Sequence, residues 1–169
     1  EHTKNIHTCV FSPEGTKILS GSWDGTIKLW DETLGRDART LKAHESSVEG
    51  CTFSPNGKMY LSFSQDGTLK FLDGATGKEV RTLKIDAGYL HDCVFSPDGK
   101  TLLSASVNHT MTLWDAKTGK QLRTLQRFGT IACAFSPDGK ALISGKPYTF
   151  ELIDLATGDT LWKRDAGLI

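Results

Sequence analysis

The chain has 169 residues, with 20 Lys plus Arg balanced by 20 Asp plus Glu and 38% hydrophobic residues. That size and balance fit one globular domain and exclude a disordered segment, a coiled coil and a dedicated nucleic-acid binder, since zero formal charge offers phosphate or acidic lipid no attractive field. The longest apolar runs, such as Ile131 to Phe135, fall far short of the ~20 residues of a spanning helix, no secretory signal is evident, and 17 glycines favour a turn-rich β chain.

One phrase recurs along the chain. It begins as Cys9-Val-Phe-Ser-Pro13, returns as Cys51-Thr-Phe-Ser-Pro55 and Cys93-Val-Phe-Ser-Pro97, and ends as Cys133-Ala-Phe-Ser-Pro137, at spacings of 42, 42 and 40 residues. In the first copy the apolar run through Phe11 predicts a strand that stops at Pro13, because proline cannot donate to a ladder, and Glu14-Gly15 predicts a tight hairpin. A run of small residues, Ser20-Gly-Ser22, leads to a second turn at Asp24-Gly25. Thr26-Ile-Lys-Leu-Trp30 then alternates polar and apolar as a half-buried strand does, and Asp31 and a turn at Leu34-Gly35 lead to a fourth strand. The second copy repeats this order through Asn56-Gly57, Asp66-Gly67, Thr68 to Leu72, Asp73 and Thr76-Gly77. The third runs through Asp98-Gly99, Asn108, Thr110 to Trp114, Asp115 and Thr118-Gly119, and the fourth through Asp138-Gly139, Thr149 to Ile153, Asp154 and Thr157-Gly158. Four strands per ~42 residues make one repeating sheet. A cysteine recurring once per repeat in an apolar run reads as a small buried hydrophobe, and no Cys-x-x-Cys pair suggests zinc or a disulfide.

The ordered set of Phe-Ser-Pro-Asp/Asn-Gly, Ser-x-Ser-x-Asp-Gly-Thr, Leu-Trp-Asp and Thr-Gly-Lys resembles the WD-repeat β-propeller family, from His2 to about Trp162. The resemblance implies an all-β propeller of four blades, each of four antiparallel strands, at about 2–42, 43–84, 85–125 and 126–165, forming one array over 1–169. It further implies one buried hydrogen-bonded group per blade: a His before the first strand, a Ser or Thr in the second, an Asp in the following turn and a Trp in the third. In the first repeat these are His2, Ser20 or Ser22, Asp24 and Trp30. The second has His44, Ser62 or Ser64 and Asp66 but Leu72 in place of Trp. The third keeps Trp114 but has Asp86 for His and Asn108 for Asp. The fourth has Gln126 for His and Ile153 for Trp, with a rebuilt turn at Lys146-Pro147-Tyr148. These groups are expected to be structural rather than catalytic. Four blades are few for a ring of gently splayed sheets, so the expectation is part of a larger propeller, or two chains completing an eight-bladed one.

A WD propeller implies a rigid interaction platform, without catalysis of its own, for a protein or peptide partner. Family practice places recognition just before the turn Asp, here Trp23, Gln65, Val107 and Pro147 or Tyr148. Trp23 either packs on a neighbouring loop or is exposed as an interface anchor, and Tyr89 and His91 are secondary candidates. Lys4 and Glu45 read as solvated charges. Truncating Trp30 to Ala is expected to cost about 3–5 kcal/mol as a core aromatic, and Trp23→Ala to weaken binding without unfolding the domain. No catalytic motif appears, and the five histidines have no ligand spacing, so neither metal nor cofactor is expected. Two alternatives stay open. The segment Leu155 to Gly167 is similar to one repeat of the pyrroloquinoline-quinone dehydrogenase propellers, which implies an oxidoreductase. The bacterial-looking phrases also resemble WD arrays fused to kinases, proteases or nucleotide switches, which implies a sensor in a longer chain. Strand-embedded thiols suggest a cytoplasmic protein.

Overall fold

The computed structural model describes residues 1–31, 36–85 and 88–165. Asp86, the Leu34-Gly35 turn and the last residues of the Leu155 to Gly167 segment lie outside them. The described residues form sixteen strands in four four-stranded antiparallel sheets, each built from strands consecutive in sequence. The chain divides into two compact units, Glu1–Leu90 and His91–Ile169.

In the first unit, β1 (Ile6–Phe11), β2 (Lys17–Ser22), β3 (Thr26–Asp31) and β4 (Arg36–Lys42) make one sheet. A second follows from β5 (Val48–Phe53), β6 (Met59–Ser64), β7 (Thr68–Asp73) and β8 (Glu79–Lys84). The Pro-x-Gly phrases turn as expected. Gly15 and Gly57 have φ of 74° and 65°, and Ser12 and Ser54 each accept the backbone N–H of that glycine. The two sheets face each other through one core. Leu19 and Ile27, with Val10, Leu29 and Leu41, come from one face of the first sheet, and Cys51, Phe53, Tyr60 and Leu72 come from the opposing face of the second. Period-two alternation puts Val10 and Leu19 on one face and Cys9 and Ser20 on the other, which the register pairs in the same way.

Both first strands carry a β-bulge at the same place, at His7 in β1 and Glu49 in β5, where the register shifts. Gly50 follows the second bulge because the Phe63 ring lies 2.1 Å from where a Cβ would stand. The outer face of the first sheet departs from expectation. Cys51 is buried but Cys9, at the equivalent position, is exposed, and Phe11 beside it is 66% exposed. The reason is that Cys51 packs against the preceding sheet, with Leu19 O and Thr8 Oγ1 both 3.9 Å from its sulfur, whereas Cys9 lies on the face turned away from the second sheet.

The second unit repeats the plan. Strand β9 (Leu90–Phe95), which starts at the boundary residue, pairs into a sheet with β10 (Thr101–Ser106), β11 (Thr110–Asp115) and β12 (Gln121–Gln126). The last sheet comprises β13 (Ala132–Phe135), β14 (Ala141–Gly145), β15 (Thr149–Asp154) and β16 (Thr160–Asp165). Their shared core joins Leu103, Ala105, Met111 and Leu113 to Cys133, Leu142 and Ile153. Two clamps tie these sheets together. The Asp92 carboxylate accepts the Cys133 N–H at 2.7 Å, and the Arg123 guanidinium donates to the carbonyls of Leu155, Ala156 and Thr157 in the β15–β16 turn. Arg39 does the same in the first unit, donating to Ala75 O at 3.0 Å. The rebuilt fourth turn closes with Lys146 N donating to Thr149 O, and a Lys146–Glu151 ion pair of 2.9 Å braces it.

Candidate functional site

In the first sheet a chain of side-chain hydrogen bonds crosses from β3 to the lead-in before β1. The Trp30 indole N–H donates to Ser20 Oγ at 2.9 Å, Ser20 Oγ meets His2 Nε2 at 2.8 Å, and His2 Nδ1 meets Asp24 Oδ2 at 3.2 Å. The bonds run in one direction when the Ser20 hydroxyl donates to Nε2 and the imidazole carries its proton on Nδ1. Of the two serines left open by the sequence, Ser20 joins this chain. Ser22 instead shapes the turn, accepting the Asp24 N–H and donating to Lys4 O. Burial alone would raise the Asp24 pKa, but the Thr26 hydroxyl, the Thr3 and Thr26 N–H groups and His2 outweigh it and hold the carboxyl well below the usual range.

The second sheet has the same group without its tryptophan. His44 Nε2 meets Ser62 Oγ at 2.8 Å and Nδ1 meets Asp66 Oδ2 at 3.1 Å, while Ser64 takes the turn role. Burial pushes the His44 pKa down against the pull of Asp66, and when the imidazole carries its proton on Nδ1 toward Asp66 the Ser62 hydroxyl donates to Nε2. In the third sheet Trp114 Nε1 donates to Ser104 Oγ at 2.9 Å, and Asn108 ties Ser106 to Thr110. In the fourth, Gln126 is the exposed last residue of β12. The buried partner of the strand serine is Thr130, whose hydroxyl meets Ser144 Oγ at 2.7 Å. Apart from the exposed Gln126, each of these side chains faces a fixed neighbour inside its own unit, which suits holding turns in place. Among the described residues no three His, Cys, Asp or Glu side chains converge on a point where a metal ion would sit.

The rim residues are distributed differently. Trp23 is 41% exposed and its ring stacks on His7, with centroids 5.8 Å apart and planes 28° from parallel, so it both packs on a neighbour and faces solvent. Gln65 is exposed and its amide donates to Glu49 Oε1 at 2.8 Å, while Glu49 Oε2 lies 3.6 Å from His7 Nε2. Trp23, His7, Glu49 and Gln65 thus form one row across both sheets of the first unit. The two bulges explain it, because an extra residue in a strand re-aims its side chain, here toward the β2–β3 and β6–β7 turns. Glu49 was not singled out from the sequence. The signal was its place two residues before a repeat cysteine, the place His7 holds in the first copy. Tyr89, in the same unit, is 39% exposed ahead of β9. In the second unit Val107 is half-buried, whereas Pro147 and Tyr148 are exposed at the tip of the rebuilt turn.

Comparison with known proteins agrees with this architecture. The family profile "WD domain, G-beta repeat" matches residues 1–31, 35–73 and 77–115, which cover more than half of the chain. Among curated relatives, the peroxisomal targeting signal 2 receptors of Mus musculus and Homo sapiens are 40% identical over 48 residues, 27% of this chain and 15% of theirs. Nuclear distribution protein nudF of Emericella nidulans is 52% identical over 48 residues, 25% of this chain and 11% of its own. WD40 repeat protein poxJ of Penicillium oxalicum is 39% identical over 41 residues, 24% of this chain and 12% of its own. The chain spans less than a sixth of the length of these relatives. With the repeat profile matched three times and every sheet built to one plan, the chain belongs to the WD-repeat family.

Proposed function

We propose that this chain is a non-catalytic protein-interaction module, part of a longer WD-repeat scaffold or sensor. The observation that carries the reading is the row of Trp23, His7, Glu49 and Gln65, in which a half-exposed indole stacks on an imidazole that borders a shielded carboxylate of the next sheet. Aromatic anchors ringed by polar side chains are the residue types on which protein interfaces concentrate their binding energy. The side chains that resemble a catalytic triad are bonded to one another inside the sheets, a structural arrangement. A role in a larger assembly draws support from the relatives, each several times longer than the stretch it shares with this chain.

The test is quantitative affinity capture from a lysate of the source cells, with the wild-type chain and Trp23→Ala immobilised side by side. The expected outcome is a protein retained by the first and lost by the second, while both variants unfold at the same temperature. Equal capture by the two removes Trp23 from the interface, and loss of the fold in Trp23→Ala makes it a packing residue.

A further inference from the structure

We infer that the His7–Trp23–Glu49–Gln65 row is a receptor for an arginine side chain presented by a peptide partner; the inference rests on the protein-binding reading above and names the chemistry of that partner. Glu49 is the less exposed member of the charged pair in this row. Its side chain is 15% exposed, and among the described residues one side-chain hydrogen bond reaches it, from the Gln65 amide at 2.8 Å. The His7 imidazole lies at 3.6 Å, an ion-pair distance longer than a hydrogen bond. A carboxylate offers about four acceptor sites, so this one retains acceptor capacity where little water reaches it, a state that a further donor improves.

The shape of the surroundings selects the donor. Glu49 Oε2 lies 3.6 Å from Nε2 of His7, whose ring stacks on Trp23 with planes 28° apart, and both rings face solvent, the His7 side chain 44% and Trp23 41% exposed. A planar cation matches both parts, because a guanidinium stacks on aromatic faces and presents paired N–H groups to a carboxylate, whereas an ammonium does neither as well. Anionic ligands are disfavoured by the charge of Glu49. The fixed positions add selectivity. Each of the two long-range partners, His7 and Glu49, sits on a bulge in a strand of a packed sheet, and Gln65 is anchored by its backbone N–H to Ser47 O at 3.1 Å. Lys4 and Glu45 are exposed, and Glu45 pairs with Lys42 at 3.6 Å.

The experiment uses the purified chain labelled with nitrogen-15 and follows the indole N–H signals, of which Trp23's is assigned by its loss in Trp23→Phe. The probe is the capped peptide acetyl-Ala-Arg-Ala-amide, and the control is the same peptide with citrulline, which keeps the shape and removes the charge. The expected result is a saturable movement of the Trp23 signal with millimolar arginine peptide, at least tenfold weaker affinity for the citrulline peptide, and a similar loss in Glu49→Gln. The Trp30 and Trp114 signals, held by Ser20 and Ser104, stay in place and report an intact fold. No saturable movement, equal affinity for citrulline, or unchanged affinity in a folded Glu49→Gln overturns the inference. The two readings fail separately. A captured protein that needs Trp23 but binds Glu49→Gln equally well keeps the interaction module and removes the arginine, whereas capture indifferent to Trp23 removes the module reading itself.

Discussion

The hydrogen-bond chain that starts at the Trp30 indole has a cost when it is cut. Ser20 is buried and receives the Trp30 N–H while bonded to His2, so removing the donor leaves the hydroxyl with an unfilled acceptor site. Trp30→Phe keeps most of the ring and is expected to destabilise the chain by about 1 kcal/mol, the net worth of one such bond, measured by urea unfolding. Trp30 itself is half-buried on the outer face of the first sheet. Truncation to Ala therefore falls below the range for a fully buried aromatic, at about 2–3 kcal/mol. Asp92 presents the opposite case. It is a carboxylate whose pKa burial pushes up, against the opposing N–H of Cys133. Its folded pKa exceeds the unfolded one, so the folded form binds more protons between the two values and stability falls as pH rises through that window. Asp92→Asn keeps a carbonyl for the Cys133 N–H and removes the charge. Its stability relative to wild type is expected to grow as pH rises from about 4 toward neutrality, read from unfolding curves at each pH; a constant difference would mean that the carboxyl titrates alike folded and unfolded.

At the scale of strands and turns, the repeated Arg-Thr-Leu phrase acts through its arginine. Arg123 on β12 reaches three carbonyls of the β15–β16 turn, and Arg39 on β4 reaches Ala75 in the β7–β8 turn, so each guanidinium pins the turn of the following sheet. Arg123→Ala is expected to lower stability by about 1–2 kcal/mol, and Arg123→Lys to recover only part of it, because one ammonium cannot span three acceptors; thermal unfolding of both variants checks it. The strands themselves were legible from sequence because their signals are local: alternation, the proline stop, and a glycine with positive φ at most of the described hairpins. His109 shows why such signals blur, since it takes φ of 68° where Gly25 and Gly67 have 80° and 76°, giving the third repeat the same turn without the same residue. Contacts between elements were less legible. Counting back from Cys133 points to Gln126, yet the lead-in to the shorter β13 lets Thr130 reach Ser144 instead. Glu49 was missed because a bulge, invisible in the alternation pattern, decides where it points.

For the molecule as a whole, titration of the buried groups sets the acid limit. His44 is depressed by burial, and Asp24 and Asp66 are held low by their hydrogen bonds, so for all three the unfolded chain binds protons first and stability is lost as pH falls. The His44 loss begins below the ordinary histidine value and the two aspartates follow below about 4, opposite in sign to the trend of Asp92. The four cysteines make a different kind of reporter. Burial pushes the Cys51 thiol up to about 12 and lifts Cys93 and Cys133 as well, which leaves them protonated and shielded, whereas Cys9 lies open on the first sheet. Under native conditions a maleimide is expected to add to one thiol per chain, located at Cys9 by peptide mass, and to all four after denaturation. Alkylation thereby becomes a footprint of occupancy: the same reagent applied to the protein in its native assembly reads, from one mass increment, whether another surface already lies over that sheet.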